Sequence, residues 1–133
     1  MKNLLLVCLG SFFGGGMRYL VALLCSKMSE SANVTHGAFP WGTFAVNVAG
    51  CLLIGFLSGM AATDYLPPRW KMVLITGFCG GFTTFSTFMN ENYLLAKGHT
   101  TMLVAYTVAS LVLGMAALTA GHKLASMFTS LQG

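Results

Sequence analysis

The segment Gly77–Phe88, GFCGGFTTFSTF, carries the residues whose types and spacing point most directly to chemistry. Its glycines precede a run in which hydroxyl side chains alternate with phenylalanines, and Phe82, Phe85 and Phe88 recur three residues apart. Ring edges that line a pore favour an anion because an aromatic ring is positive at its edge, whereas ring faces favour a cation. Hydroxyl groups donate hydrogen bonds and rotate to suit an anion, so the segment predicts weak, exchangeable ligands for a permeating ion. The alternative is that these rings only pack against neighbouring helices.

The glycines of this segment predict an interruption in a membrane helix. Gly77, Gly80 and Gly81 precede the hydroxyl-rich run, and each Gly costs about 1 kcal/mol relative to Ala in a helix interior. A break inside lipid leaves carbonyl and amide groups that protein, water or an ion must satisfy. Such carbonyls recur as ligands of Na⁺. We therefore expect a break between Gly77 and Thr83.

Polar residues elsewhere in the chain also recur at helical spacing. Residues four apart lie on the same helix face. Three such lines are present: Thr43 with Asn47, Thr83 with Thr87 and then Glu91, and Tyr106 with Ser110. These lines predict a path for a polar solute through a helix bundle, and the alternative is ordinary hydrogen bonding between helices.

The elements that must position these residues are membrane helices. The chain is 56% hydrophobic and only 8% charged, with a mean hydropathy of +0.75, whereas soluble domains have about 25% charged residues. Four apolar windows reach the roughly 20 residues that span a bilayer: residues 4–26, 39–62, 71–96 and 101–125. We expect a single all-α membrane domain over residues 1–133, with the first window a helix rather than a cleaved signal peptide.

The basic residues are almost evenly divided between the two sides of the membrane. If the helices alternate in direction, four basic residues lie on one side and three on the other: Lys2, Arg69, Lys71 and Lys123 against Lys27, Lys97 and the deeper Arg18. Because basic residues set orientation, this balance fits dual topology and also fits one fixed orientation. Arg18 either extends to the interface or faces a water-filled vestibule.

The sequence resembles the Fluc family of bacterial fluoride channels, also called CrcB. The motifs that carry the resemblance are G-x-x-x-R-Y at Gly14–Tyr19, T-F-x-V-N at Thr43–Asn47 and G-x-x-G-G-F-T-T-F-S-T-F at Gly77–Phe88. The resemblance implies an antiparallel, dual-topology homodimer with four transmembrane helices per chain and a break in the third. It also implies two fluoride pores, a structural Na⁺ at the dimer interface, and passive fluoride export across the bacterial inner membrane that lowers cytoplasmic fluoride.

The same resemblance assigns expected roles to individual residues. The backbone carbonyls of Gly80 and Thr83, from both subunits, are expected to hold Na⁺. The ring edges of Phe85 and Phe88 are expected to face fluoride, with Asn47 donating to the anion. The remaining matches are Ser86 and Thr87 as a hydroxyl track, Thr43, Tyr106 and Ser110 as polar pore positions, and Arg18 and Glu91 as charged residues at the pore mouths.

Two other functions are compatible with a small four-helix membrane protein. A dual-topology multidrug/proton antiporter needs an intramembrane carboxylate, but the first helix offers Arg18, and Glu91 lies near the end of its helix. A non-transporting assembly subunit would not need three polar lines. No enzyme is predicted, because the histidines are scattered at His36, His99 and His122.

Overall fold

The computed structural model describes residues 1–28 and 34–131, and the regular structure within them is entirely helical. The elements are α1 (Lys2–Met28), a 3₁₀ turn (Val34–His36), α2 (Trp41–Ala62), α3 (Pro68–Trp70), a π-helical segment (Lys71–Cys79), α4 (Gly80–Phe82), α5 (Phe85–Ala96) and α6 (Thr100–Ser130). Four stretches are long and apolar enough to cross a membrane: Lys2–Lys27, Trp41–Ala62, Pro68–Ala96 and Thr100–Ser130. The prediction of an all-α chain with four spans is confirmed.

The first, third and fourth spans are longer than their apolar windows. The third span (Pro68–Ala96) begins three residues before the predicted start, because a proline at the first helical position lacks only an N–H that the helix does not need there. The last helix continues to Ser130, past the predicted end at residue 125. Beyond that end, the ring centroid of Phe128 lies 6.5 Å from that of Phe56 of α2. Tertiary packing therefore extends α6 beyond the stretch that hydropathy marks.

Glycines allow α1 to lie directly against the third span. A Cβ atom added at Gly10 or Gly14 of α1 would overlap the backbone of the third span, and one added at Gly77 or Gly81 would overlap the backbone of α1. The Ser11 hydroxyl also donates to the Gly77 carbonyl at 3.3 Å across this contact. Small residues on both sides are typical of closely packed membrane helices.

The third span departs from the α-helical conformation twice. It is π-helical over Lys71–Cys79, a rare form with i→i+5 hydrogen bonds. After α4, Thr83 (φ −75°, ψ 157°) and Thr84 (φ −146°, ψ 111°) are extended before α5 begins. The glycines of this segment are helical, including Gly80 with φ −64° and ψ −34°. The interruption therefore lies at Thr83 and Thr84, at the end of the expected Gly77–Thr83 interval, and the glycines before it stay helical, with Gly77 and Gly81 packed against α1.

The outer surface of the chain is rich in large apolar side chains. Phe12 of α1 and Phe85 of α5 are each 75% exposed, and Leu111 of α6 is 65% exposed. The interior is small and includes Val46, Leu95 and Tyr106, each almost completely buried. Large apolar side chains therefore cover much of the surface that lipid or another protein would contact, whereas the polar residues Thr43, Thr84 and Asn92 are buried between the helices.

Candidate functional site

Asn47 connects α2 to the extended backbone of the third span. Its Oδ1 accepts a hydrogen bond from the Thr84 N–H at 2.8 Å, and its Nδ2 donates to the Thr84 carbonyl at 3.0 Å. The side-chain amide thus pairs with a peptide group that has left the helix. This pairing meets the requirement that backbone polar groups within lipid be satisfied by protein. Thr83 and Thr84 are called the extended pair below. The pairing with Asn47 explains how the chain stays extended there at membrane depth.

Thr84 also caps the helix that follows it. Its Oγ1 accepts from the Thr87 N–H at 3.3 Å and donates to the Thr87 Oγ1 at 2.9 Å, which is the usual role of an N-cap threonine. In a continuous helix, the N–H groups of residues 84 and 87 would donate to the carbonyls of Gly80 and Thr83. Both of these donors are directed to side chains instead, one to Asn47 and one to Thr84.

Glu91 joins three helices through its carboxylate. Its Oε1 accepts from the Thr43 hydroxyl of α2 and its Oε2 accepts from the Tyr106 hydroxyl of α6, both at 2.7 Å. Glu91 itself is half-buried in α5. Residues of three predicted polar lines thus meet at one carboxylate, an arrangement that spacing alone did not predict.

A cavity of about 360 Å³ lies beside the extended pair. Its lining includes Asn47, Thr83, Thr84, Phe85, Phe88 and Ser110. The Ser110 Oγ is buried and has no hydrogen-bond partner among the residues that the structure describes. Buried hydroxyls without a partner are uncommon, so this group is available to a polar occupant of the cavity.

A second cavity of about 260 Å³ adjoins the Glu91 carboxylate. Thr43, Thr87 and Glu91 contribute to its lining, together with residues near the end of α1 and the start of α2. Thr43 and Asn47 lie one turn apart on α2 and line one cavity each. The polar line of α2 therefore extends from one cavity to the other.

Aromatic rings form a row along the same region. The ring centroids of Phe85 and Phe88 are 6.2 Å apart, and those of Phe88 and Tyr106 are 5.1 Å apart. Phe39, which lies before α2, continues the row with its centroid 5.4 Å from that of Tyr106. Phe88 thus packs against a neighbouring helix and also lines the larger cavity.

The structure brings most of the predicted site residues together, with some exceptions. Arg18 is half-buried on α1, and Ser86 is exposed on α5. Neither residue is in the lining of the two cavities. Gly80 is exposed on the outer surface of the chain, and an added Cβ there would have nothing within 4 Å.

Asn92 and Thr107 form a polar contact that the sequence did not single out. The Thr107 hydroxyl donates to the Asn92 Oδ1 at 2.7 Å, and the Asn92 Nδ2 donates to the Phe88 carbonyl at 2.8 Å. The available signals were the i, i+4 spacing of Phe88 and Asn92 and the position of Thr107 directly after Tyr106. Neither signal identifies the partner helix.

Fold and site together define a multi-pass membrane protein in which hydrogen-bonding side chains gather between the helices around cavities. Residues 5–122 match the family described as CrcB-like protein, Camphor Resistance (CrcB). The chain belongs to this family, which confirms the resemblance carried by the sequence motifs.

Relatives from several bacteria are similar over almost their whole length, and each of the following is named fluoride-specific ion channel FluC. The protein of Chlorobaculum tepidum is 45% identical over 130 residues, which cover 96% of this chain and 98% of the relative. That of Chlorobium luteolum is 46% identical over 121 residues, covering 90% and 88%. That of Bacteroides fragilis is 38% identical over 129 residues, covering 96% and 99%. These are names of ion channels, so the prediction of a protein that is not an enzyme is confirmed.

Proposed function

We propose that this chain is a fluoride-selective channel that conducts fluoride passively out of the cell and so lowers cytoplasmic fluoride. Its full-length similarity to proteins named fluoride-specific ion channel supports the substrate. The observation that carries the proposal is the larger cavity, where the unpartnered Ser110 hydroxyl lies in a lining that also includes the Asn47 amide and two phenylalanine rings. These are neutral groups that can contact an anion without holding it by a fixed positive charge.

Fluoride needs such a lining because its dehydration is costly. An unpaired ion in a medium of low dielectric costs tens of kcal/mol by idealised estimates, so the pore must replace water with other donors. Ser110 offers a hydroxyl, and Asn47 carries a second amide hydrogen besides the one that Thr84 engages. The positive edges of Phe85 and Phe88 add weak attraction. Weak, multiple contacts let an ion enter and also leave.

We further propose that a structural Na⁺ is bound between two antiparallel copies by the carbonyls of Gly80 and Thr83. The observation in favour is that the N–H groups which a continuous helix would direct to these two carbonyls donate to Asn47 and Thr84 instead. Gly80 is exposed on the outer surface, where a second copy has access. When bound, Na⁺ would supply positive charge that links the two chains.

The sodium site can be tested without measuring transport. If Na⁺ binds only the folded dimer, a concentration one hundred times its Kd should stabilise that dimer by about 2.7 kcal/mol. We expect the purified protein to melt at a lower temperature when N-methylglucamine replaces Na⁺. A melting temperature that is the same in both salts would contradict the sodium proposal.

The channel function can be tested with purified protein in liposomes. We expect rapid fluoride efflux and no measurable chloride efflux, recorded with ion-selective electrodes under the same gradient. Protein-free liposomes serve as the control, and Ser110→Ala should slow the efflux because it removes the unpartnered hydroxyl. Equal fluoride and chloride fluxes, or no flux of either, would refute the proposal. Uptake of a cationic dye driven by a proton gradient would instead support the antiporter.

A further inference from the structure

We propose that Asn92 and Thr107 form a clamp between α5 and α6 that holds the Phe88 ring in its conducting orientation. The clamp is defined as the Asn92 side-chain amide, the Thr107 hydroxyl and the hydrogen bonds they make. The inference rests on the proposed function, because it concerns the conduction of fluoride past Phe88. Both are positioning residues: they act through Phe88 and are absent from the linings of the two cavities.

The clamp uses both ends of one buried amide. Asn92 is only 8% exposed. Its Oδ1 accepts from the Thr107 hydroxyl at 2.7 Å, and its Nδ2 donates to the Phe88 carbonyl at 2.8 Å. A carbonyl has two lone pairs, so Phe88 can accept this bond beside its ordinary helical one. The backbone of Phe88 is thereby tied through one side chain to the neighbouring helix.

Phe88 lies where α5 would otherwise be poorly fixed. The helix has 12 residues and begins at Phe85, directly after the extended pair. Helices of this length are marginal without tertiary contacts. The Phe88 ring also packs at 5.1 Å, centroid to centroid, against Tyr106, the residue before Thr107. A contact at this point therefore fixes the start of α5 relative to α6.

A second bond next to the clamp fixes the rotation of α5. Tyr106 donates to Glu91 at 2.7 Å, while Thr107 donates to Asn92 at 2.7 Å. Consecutive residues of a helix point about 100° apart around its axis, so the two bonds attach α5 along two directions. One attachment alone would leave the helix free to turn about it. A ring that must present its edge to an ion is sensitive to this turning.

The test replaces the Thr107 hydroxyl and leaves the size of the side chain almost unchanged. Thr107→Val removes the donor, and Thr107→Ser restores it. Thr119→Val is the matched control, because Thr119 lies on the same helix, is exposed, and donates only to carbonyls of its own helix at Met115 and Ala116. Each protein is reconstituted at low density, so that the fluoride rate per channel and the fraction of active vesicles are measured separately.

We expect Thr107→Val to lower the fluoride rate per channel roughly three- to tenfold, the range that corresponds to one interhelical hydrogen bond in a membrane. Chloride efflux should stay unmeasurable, as in the wild type, so that the change is a loss of fluoride rate per channel. Thr107→Ser should conduct like the wild type, as should Thr119→Val. The double variant Asn92→Leu/Thr107→Val leaves no buried group of the clamp unpaired and should remain folded while conducting as slowly as Thr107→Val.

Several results would overturn the clamp. A wild-type rate per channel in Thr107→Val, with fewer active vesicles, would mean that the contact only stabilises the fold. Failure of Thr107→Ser to restore the rate would show that the hydroxyl is not the cause. Should Thr107→Val fold poorly, a wild-type rate in the double variant would also refute the clamp. Wild-type protein without fluoride efflux would instead refute the proposed function itself.

Discussion

Replacing Asn47 with Ala should lower the free energy of unfolding, and not only remove a contact with the permeating ion. The substitution removes two hydrogen bonds, of 2.8 and 3.0 Å, that engage the N–H and the carbonyl of Thr84. Thr84 is only 7% exposed, and a buried group that loses its partner costs about 1–3 kcal/mol. Because Asn47 also borders a cavity, water can reach part of the freed peptide. We therefore expect the free energy of unfolding to fall by about 2–4 kcal/mol.

The measurement that separates support from ion contact is a comparison with Ser110→Ala. Both variants remove a polar group from the lining of the same cavity, so both should slow fluoride efflux. The Ser110 hydroxyl has no partner among the described residues, however, so its removal should leave the free energy of unfolding nearly unchanged. Reversible denaturation in detergent, followed by tryptophan fluorescence, would measure this difference for the two variants and the wild type.

The supporting role of Asn47 fails if Asn47→Ala is as stable as the wild type while its fluoride efflux is lost. In that case Asn47 would act on the ion alone, and the Thr84 peptide group would be held by some other part of the chain. It also fails if Ser110→Ala is destabilised as strongly as Asn47→Ala, since that outcome would mean that the cavity lining is needed as a whole.

Four further substitutions and one control test other parts of the structure. Phe85→Ile and Phe88→Ile should each reduce fluoride efflux sharply while the protein still assembles, and unchanged efflux in both would mean that the rings only pack. Tyr106→Phe keeps the ring but removes the hydroxyl that donates to a carboxylate, so the free energy of unfolding should fall by about 1.5–3 kcal/mol; a change below the error of denaturation would contradict this. Gly14→Ala should cost about 1–3 kcal/mol by overpacking, because its Cβ would overlap the third span, whereas Gly16→Ala meets nothing within 4 Å and serves as the matched control.

The sequence predicted the four spans and most of the polar residues that lie between the packed helices, because both follow from local patterns. Hydropathy over about 20 residues marks a membrane helix without knowledge of its neighbours. Spacing of four residues placed Thr43 with Asn47, and Tyr106 with Ser110, on common faces. In the structure these faces do turn towards the third span, where Thr43 and Tyr106 both reach Glu91.

What the sequence could not predict depends on contacts between distant segments. The pairing of the Asn47 amide with a peptide group 37 residues away was not predicted, and donation to an anion stays a prediction for its second amide hydrogen. Asn92 was not singled out, since only the packing of α5 on α6 shows that Thr107 is its partner. The extended backbone begins after the glycines for the same reason. A glycine lowers helix propensity locally, but Gly77 and Gly81 lie in helical backbone against α1, and the side chain of Asn47 stabilises the extended conformation at Thr84.

The extended pair connects the two ion sites that we propose. Because the Thr84 N–H donates to Asn47, the carbonyl of Gly80 loses the donor that a continuous helix would give it. The same hydrogen bond holds Thr84 and the Asn47 amide in the lining of the larger cavity. A single side-chain pairing thus frees an oxygen ligand for a cation and sets the wall of the anion path. We therefore expect Asn47→Ala to weaken the dependence of the melting temperature on Na⁺ as well as fluoride efflux, and a variant that loses efflux but keeps the full Na⁺ dependence would show that the two sites are built independently.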